Sequence, residues 1–381
     1  MKRKVNVNKF TVRNQKMPKI VMFPHSMKEY SPKPGFKGTR GLCNWNATTD
    51  HFRRFLLSKG EYVDASNVLQ SGDLLFWTEW EACTCARKLL PKSQHCASWL
   101  HEPIYPTACP PTAGGGCLHR QNTDPCVFGK SFKYALCRQY RNGIPTELQD
   151  LETGSLIVFC GRKDGTFYLD TVFVVGEQTS YVGPDRKRPQ AVHCSNAYRI
   201  LTLDQTQGKL SFYRGVTWTQ RMQHNDIYSF APGKVLRGCA NLNTVPVSLR
   251  NRCDLNRNSI NRIINNPANF FNVNNWRAAK CMDASPNLVQ RVWNELLRQV
   301  RANGFVPCVH FPWPPQNQTP NRMAHAAFGC LASLGCPAPQ NILRRQVNFP
   351  ENGLGCNCLG GGLSEARMSQ RNGSESRNHR S

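Results

Sequence analysis

Residues 151–177, LETGSLIVFCGRKDGTFYLDTVFVVGE, constrain the fold most tightly, because two unbroken apolar runs flank a short polar loop. Residues 155–160 and 167–175 are rich in aromatic and β-branched side chains, with Gly161, Asp164 and Gly165 as turn residues between them, which predicts a β-hairpin. Leu156 and Val158 alternate with Ile157 and Phe159, so both faces are apolar and the pair belongs in a sheet covered on both sides. Asp170 interrupts this pattern. Strict alternation puts it on the face of Tyr168, Val172 and Val174, where a carboxylate is costly to desolvate unless it is paired.

Around the hairpin the sequence predicts an α+β protein, a mixed and mainly antiparallel sheet body with few helices and flexible basic termini. Residues 1–18 read as a basic arm, 19–311 as the body with a sub-boundary near 231–284 left open, and 312–381 as a largely disordered tail rich in Pro, Asn and Arg. KIVMF at 19–23 reads as the first core strand. SGDLLFWTEWE at 71–81 reads as another, opened by a Gly72-Asp73 turn and carrying Glu79 and Glu81 near its end. DHFRRFLL at 50–57 reads as a short helix exposing Arg53 and Arg54, and FKYALCR at 132–138 as a strand returning to the sheet. Residues 82–130 lack periodicity. The clearest helix begins at Ser285 as N-cap with Pro286 at the first position. Leu288, Val289, Val292, Trp293, Leu296, Leu297 and Val300 then recur at helical spacing. FVPCVHF at 305–311 follows as a strand that closes the body.

Charge narrows the partners. The formal charge is +25, but residues 1–40 hold 11 Lys/Arg against one acid, 231–381 hold 18 against six, and the middle holds 20 against 17. A nearly neutral body between basic ends suits a polyanion, either nucleic acid or an acidic membrane surface. No apolar run approaches a membrane span and the basic start MKRKVNVNKF precedes no apolar signal region, so the expected setting is cytoplasmic. There the 18 cysteines are expected to be thiols or metal ligands rather than disulfides.

The phrases FPHS at 23–26, GDLLFWTEWE at 72–81, QNTDPCVFG at 121–129, GSLIVF at 154–159 and LDTVFVV at 169–175 resemble a bacterial family of uncharacterised proteins over roughly residues 19–311. That resemblance implies no activity. The hairpin also resembles the strand pairs of PUA-like barrels, which implies recognition of RNA or of modified bases.

Three functions follow from the residues. Nucleic-acid binding, to RNA or single-stranded DNA, would use Arg53, Arg54, Lys130, Lys133 and Arg138 for phosphates, with Trp45, Phe52, Phe132 and Tyr134 for stacking. A small-molecule or nucleotide-processing enzyme would use Glu79, Glu81, Asp124 and Asp170, carboxylates beside apolar residues, with His101 or His25 as partner. A structural role is the commoner one for Asp124, in the turn QNTDP, and for Asp170. A zinc-stabilised interaction protein would draw on Cys83, Cys85, His95, Cys96, His101, Cys109, Cys117, His119 and Cys126, although paired C-x-x-C spacing is missing and scattered thiols without metal are the expectation. No G-x-S-x-G, P-loop or G-x-G-x-x-G opening a helix occurs, and the sequence implies no particular cofactor.

Overall fold

The structure, a computed structural model, describes residues 16–31, 52–82, 84–90, 96–105, 124–182, 194–195, 198–203, 209–238, 242, 245–265, 270 and 279–315. All of them belong to the compact unit Met1–Phe328. The protein is α+β, with mixed sheets whose pairings are mainly antiparallel. The first sheet contains β1 (Lys19–His25), β6 (Lys133–Tyr134), β9 (Leu156–Lys163), β10 (Thr166–Val182), β11 (Lys209–Gly215) and β14 (Lys280–Asp283). Their order is β14-β1-β9-β10-β11-β6, and β13 (Cys253–Asp254) pairs with β10. The second contains β2 (Arg53–Val63), β3 (Leu69–Glu79), β4 (Thr84–Lys88), β5 (Trp99–Pro103), β12 (Ala231–Leu236) and β15 (Val306–His310), in the order β15-β12-β3-β2-β5-β4. β15 also pairs with β2, so β2, β3, β12 and β15 close on themselves, which removes open edges among those four. A small ribbon joins β7 (Tyr140–Arg141) to β8 (Ile144–Pro145). Among the described residues, parallel pairing between strands is confined to β1 with β9 and β2 with β5.

The central hairpin is longer than the apolar runs suggest. β9 and β10 continue to a two-residue turn at Asp164 and Gly165, with φ of 49° and 83°, the left-handed pair that matches strand twist. Arg162 and Lys163 therefore lie in strand and not in a loop. The hairpin also bulges: Leu169 pairs with Cys160 and Thr171 with Phe159, leaving Asp170 as the extra residue. Across that bulge the faces invert, so Leu169, Val172 and Val174 share one core cluster. Asp170 is thus removed from the face of Val172 and Val174, correcting the placement that simple alternation gives.

Both faces of the first sheet are covered, as the sequence predicts. Ile20, Met22, Leu156, Val158, Val172 and Val174 pack against Val289, Val292, Trp293, Leu296 and Val300 of the helix Pro286–Ala302. Ser285 accepts a hydrogen bond from Leu288 N at 3.2 Å, and Trp293 Nε1 donates to Tyr228 O at 2.8 Å. On the opposite face Val21, Phe23, Ile157, Phe159, Phe173 and Val175 join Leu74 and Phe76 of the second sheet, with Phe128 and Phe311. β12, β13 and β14, all from residues 231–284, take part in the two sheets. Order continues past 311, with the Trp313 ring 6.1 Å from that of Trp80.

Three local expectations fail. Residues 53–57 are strand, not helix, because β2 pairs with β3 from Arg53↔Glu79 to Val63↔Leu69, and that long register outweighs local helical spacing. Asp50 and His51 of the expected helix lie outside the described residues. The chain reverses at Asp64, whose Oδ1 accepts from Ser66 N and Val68 N at 2.9 Å, and not at Gly72-Asp73, which lie inside β3. Of the strand expected at 132–138 only Lys133–Tyr134 forms. The basic arm before residue 16 and the tail beyond 315 lie outside the described residues.

Candidate functional site

Arg53 organises the interior where the two sheets meet. It is completely buried, as are Glu79, from the facing position on β3, and Asp170, from the bulge on β10. Arg53 NH1 donates to Glu79 Oε2, and Arg53 Nε lies 2.7 Å from Asp170 Oδ2, a charge contact in which the N–H is not aimed at the oxygen. Arg53 NH2 meets His25 Nδ1, so that nitrogen accepts and the ring proton sits on Nε2. Thr171 Oγ1 donates to Asp170 Oδ1 at 3.0 Å. Burial works against the charge of Arg53, but Asp170 and Glu79 more than offset it and its pKa is raised. Burial also raises Asp170, against the pull of Arg53.

Asp124 lies close enough to Glu79 to feel its charge, yet it has its own partners. Its carboxylate accepts from the backbone N–H groups of Ala135, Leu136 and Cys137 at 3.1, 2.7 and 2.6 Å, which pins the turn after β6. Burial, with a smaller contribution from Glu79, pushes its pKa up to about 7 despite those three donors. His101 belongs elsewhere. It sits on β5 with Thr84 Oγ1 3.0 Å from its Nδ1, and burial followed by the nearby Arg54 charge drives its pKa well down. Glu81 is buried as well. The structure therefore gathers Glu79 and Asp170 on a buried arginine with His25 beside it, places Asp124 within reach of Glu79's charge, and leaves His101 in a separate cluster.

Several cations expected on the surface lie inside. Arg53 and Arg54 are 0% and 2% exposed; Arg54 NH1 donates to Ala82 O at 2.6 Å, and its guanidinium lies 4.3 Å from the Tyr30 ring centroid. Lys133 is buried with Nζ donating to Phe128 O and Ser131 O, and Phe132 and Tyr134 are core residues. Burial is possible because β3, β10 and backbone carbonyls supply the compensating groups, distant in sequence for Arg53 and Arg54 and close by for Lys133. Trp45 lies outside the described residues. Lys130 is exposed and Arg138 is half-buried, its guanidinium 5.0 Å from the Phe23 ring centroid.

The exposed chemistry gathers at a cleft of about 340 Å³ lined by Pro24, His25, Ser26, Met27, Lys28, Arg138, Arg162 and Lys163. The described lining residues include four permanent cations and no carboxylate. His25 is its link to the buried junction. Arg162 and Lys163 were absent from the sequence-based candidates, although GRKDG at 161–165 shows two cations at a hairpin tip, a signal that was legible. Lys28 had no comparable signal. Among the described residues no group of three or more His, Cys, Asp and Glu could hold a metal ion. Cys85, Cys96 and Cys126 are buried, while Cys83, His95, Cys109, Cys117 and His119 lie outside the described residues. No helix among the described residues is long and apolar enough to cross a membrane. No protein-family model, no curated protein and no solved structure matches the chain.

Proposed function

We propose that the protein binds RNA or single-stranded DNA through its phosphate backbone at the cleft around His25, in a cytoplasmic setting. The observation that carries this reading is that Lys28, Arg138, Arg162 and Lys163 line one cleft together. Such an array attracts phosphates and releases their counterions, and it carries little base specificity. The net charge of +25 adds long-range attraction, with the basic ends supplying much of it. The resemblance of the hairpin to PUA-like barrels favours RNA, and its tip contributes Arg162 and Lys163 to the cleft.

Fluorescence anisotropy of the full chain with a labelled single-stranded oligonucleotide tests this. The expected result is binding at low salt that weakens steeply as salt rises, with Arg162→Glu/Lys163→Glu binding at least tenfold more weakly. Absence of binding at low salt would remove this reading and favour the enzyme reading, in which the acidic junction acts through His25.

A further inference from the structure

A second, larger pocket holds a buried lysine that no described carboxylate balances. β6 and β11 pair with Lys133 opposite Arg214, which sets the two side chains next to each other. The pocket of about 600 Å³ that they line also takes in Gly129, Lys130, Ser131, Cys194, Ser195, His310, Pro312 and Trp313. It shares no described lining residue with the cleft at His25.

Lys133 is the unusual member. It is 3% exposed, and Nζ donates to the carbonyls of Phe128 at 2.6 Å and Ser131 at 2.8 Å. Nζ also lies 5.6 Å from the ring centroids of both Trp313 and Tyr198. Among the described residues no carboxylate pairs with it. Two carbonyls use two of the three ammonium protons and leave the third. Burial disfavours the ammonium form and lowers the pKa of Lys133, so an anion bound at this point would hold its charge in place. Arg214 is a second cation at the same place, with one spare donor. One of its terminal nitrogens pairs with Glu177, while its buried Nε has no hydrogen-bond partner among the described residues. Lys130 stands exposed at the rim.

Trp313 lines the same pocket. Gly129, at φ +94°, makes room for it: a Cβ there would stand 2.7 Å from Trp313 Nε1 and 3.0 Å from Lys133 Nζ. The absence of a side chain is what brings indole and ammonium into one pocket. An indole beside a cluster of cations suits a ligand that has a flat ring and a phosphate, and the volume lies within the roughly 300–1,000 Å³ typical of small-molecule sites.

We infer that this pocket binds a nucleoside monophosphate, its phosphate held by Lys130, Lys133 and Arg214 and its base stacked on Trp313. The inference does not depend on nucleic-acid binding at the His25 cleft. Equilibrium dialysis of the full chain with adenosine monophosphate, adenosine and inorganic phosphate tests it. The expected result is one equivalent of adenosine monophosphate, bound at least tenfold more tightly than either fragment. Lys133→Met removes a buried group and risks misfolding, so Lys130→Gln and Arg214→Gln carry the test. Each should weaken adenosine monophosphate several-fold and leave adenosine unchanged, whereas Trp313→Leu should weaken both. Arg162→Glu/Lys163→Glu should leave all three unchanged. Failure of adenosine monophosphate to bind at millimolar concentration, binding no tighter than inorganic phosphate, or indifference to Lys130 and Arg214 would overturn the proposal.

Discussion

The bulge and the tip of the central hairpin lie only a few residues apart, yet they use charge in opposite ways. At the bulge Asp170 is sealed from water and held by Arg53 from another sheet. At the tip Arg162 is exposed and Lys163 half-buried, both facing a cleft with no described carboxylate. A buried charge is fixed by its partner, and losing either side strands the other. An exposed charge costs the fold almost nothing to keep and remains available to a ligand. One strand pair thus anchors the two sheets together at one level and presents cations at the next.

The largest effect should come from the bulge. Asp170→Ala takes one of two carboxylates from Arg53, which keeps Glu79 and His25, and should destabilise the protein by roughly 1.5 to 3 kcal/mol, the scale of a lost interaction with a charged group. Urea unfolding measures it, and a loss under about 1 kcal/mol, the scale of an exposed pair, would erase the distinction between bulge and tip. Asp124 gives the next effect, through pH. Its folded pKa of about 7 exceeds the unfolded value near 3.8, so the folded state holds the proton more tightly. The stability this contributes is complete below about pH 4 and is lost as pH rises through about 7. Unfolding midpoints measured from pH 4 to 8 should therefore fall with pH in the parent, and more shallowly in Asp124→Asn. A smaller loss, about 1 kcal/mol, is expected for Thr171→Val, which removes the hydroxyl that donates to Asp170. An unchanged urea midpoint in that variant would mean that the bulge does not depend on this bond.

The same contrast decides what the sequence reveals. Helix Pro286–Ala302 is legible from its cap and its apolar spacing because both signals are local. The hairpin is legible for the same reason, down to Asp164 and Gly165 at its turn. Asp170 stands out as anomalous, but its partner does not, since Arg53 lies more than a hundred residues away and is placed by pairing between β2 and β3. Reading DHFRRFLL as a helix turned two interior arginines into surface ones. The bulge was equally hidden, because a single inserted residue inverts the faces and leaves no mark in composition. Within the candidate cleft Arg138 was recognised and Arg162 and Lys163 were overlooked, although a basic hairpin tip is a local feature. The Lys133 pocket depends on β6, β11 and Trp313 coming together, which no single window of sequence displays.

The separation between anchoring and binding charges is tested most directly by the salt dependence of oligonucleotide binding, measured on the full chain and on Arg162→Gln/Lys163→Gln together with their unfolding midpoints. Each phosphate contact on a single strand contributes about −0.7 to the slope of log affinity against log salt, so losing two should make the slope shallower by about 1.4. The expected result is that change in slope with an unchanged midpoint. An unchanged slope, or a collapse in stability from these two substitutions, would contradict the assignment of the hairpin tip to binding.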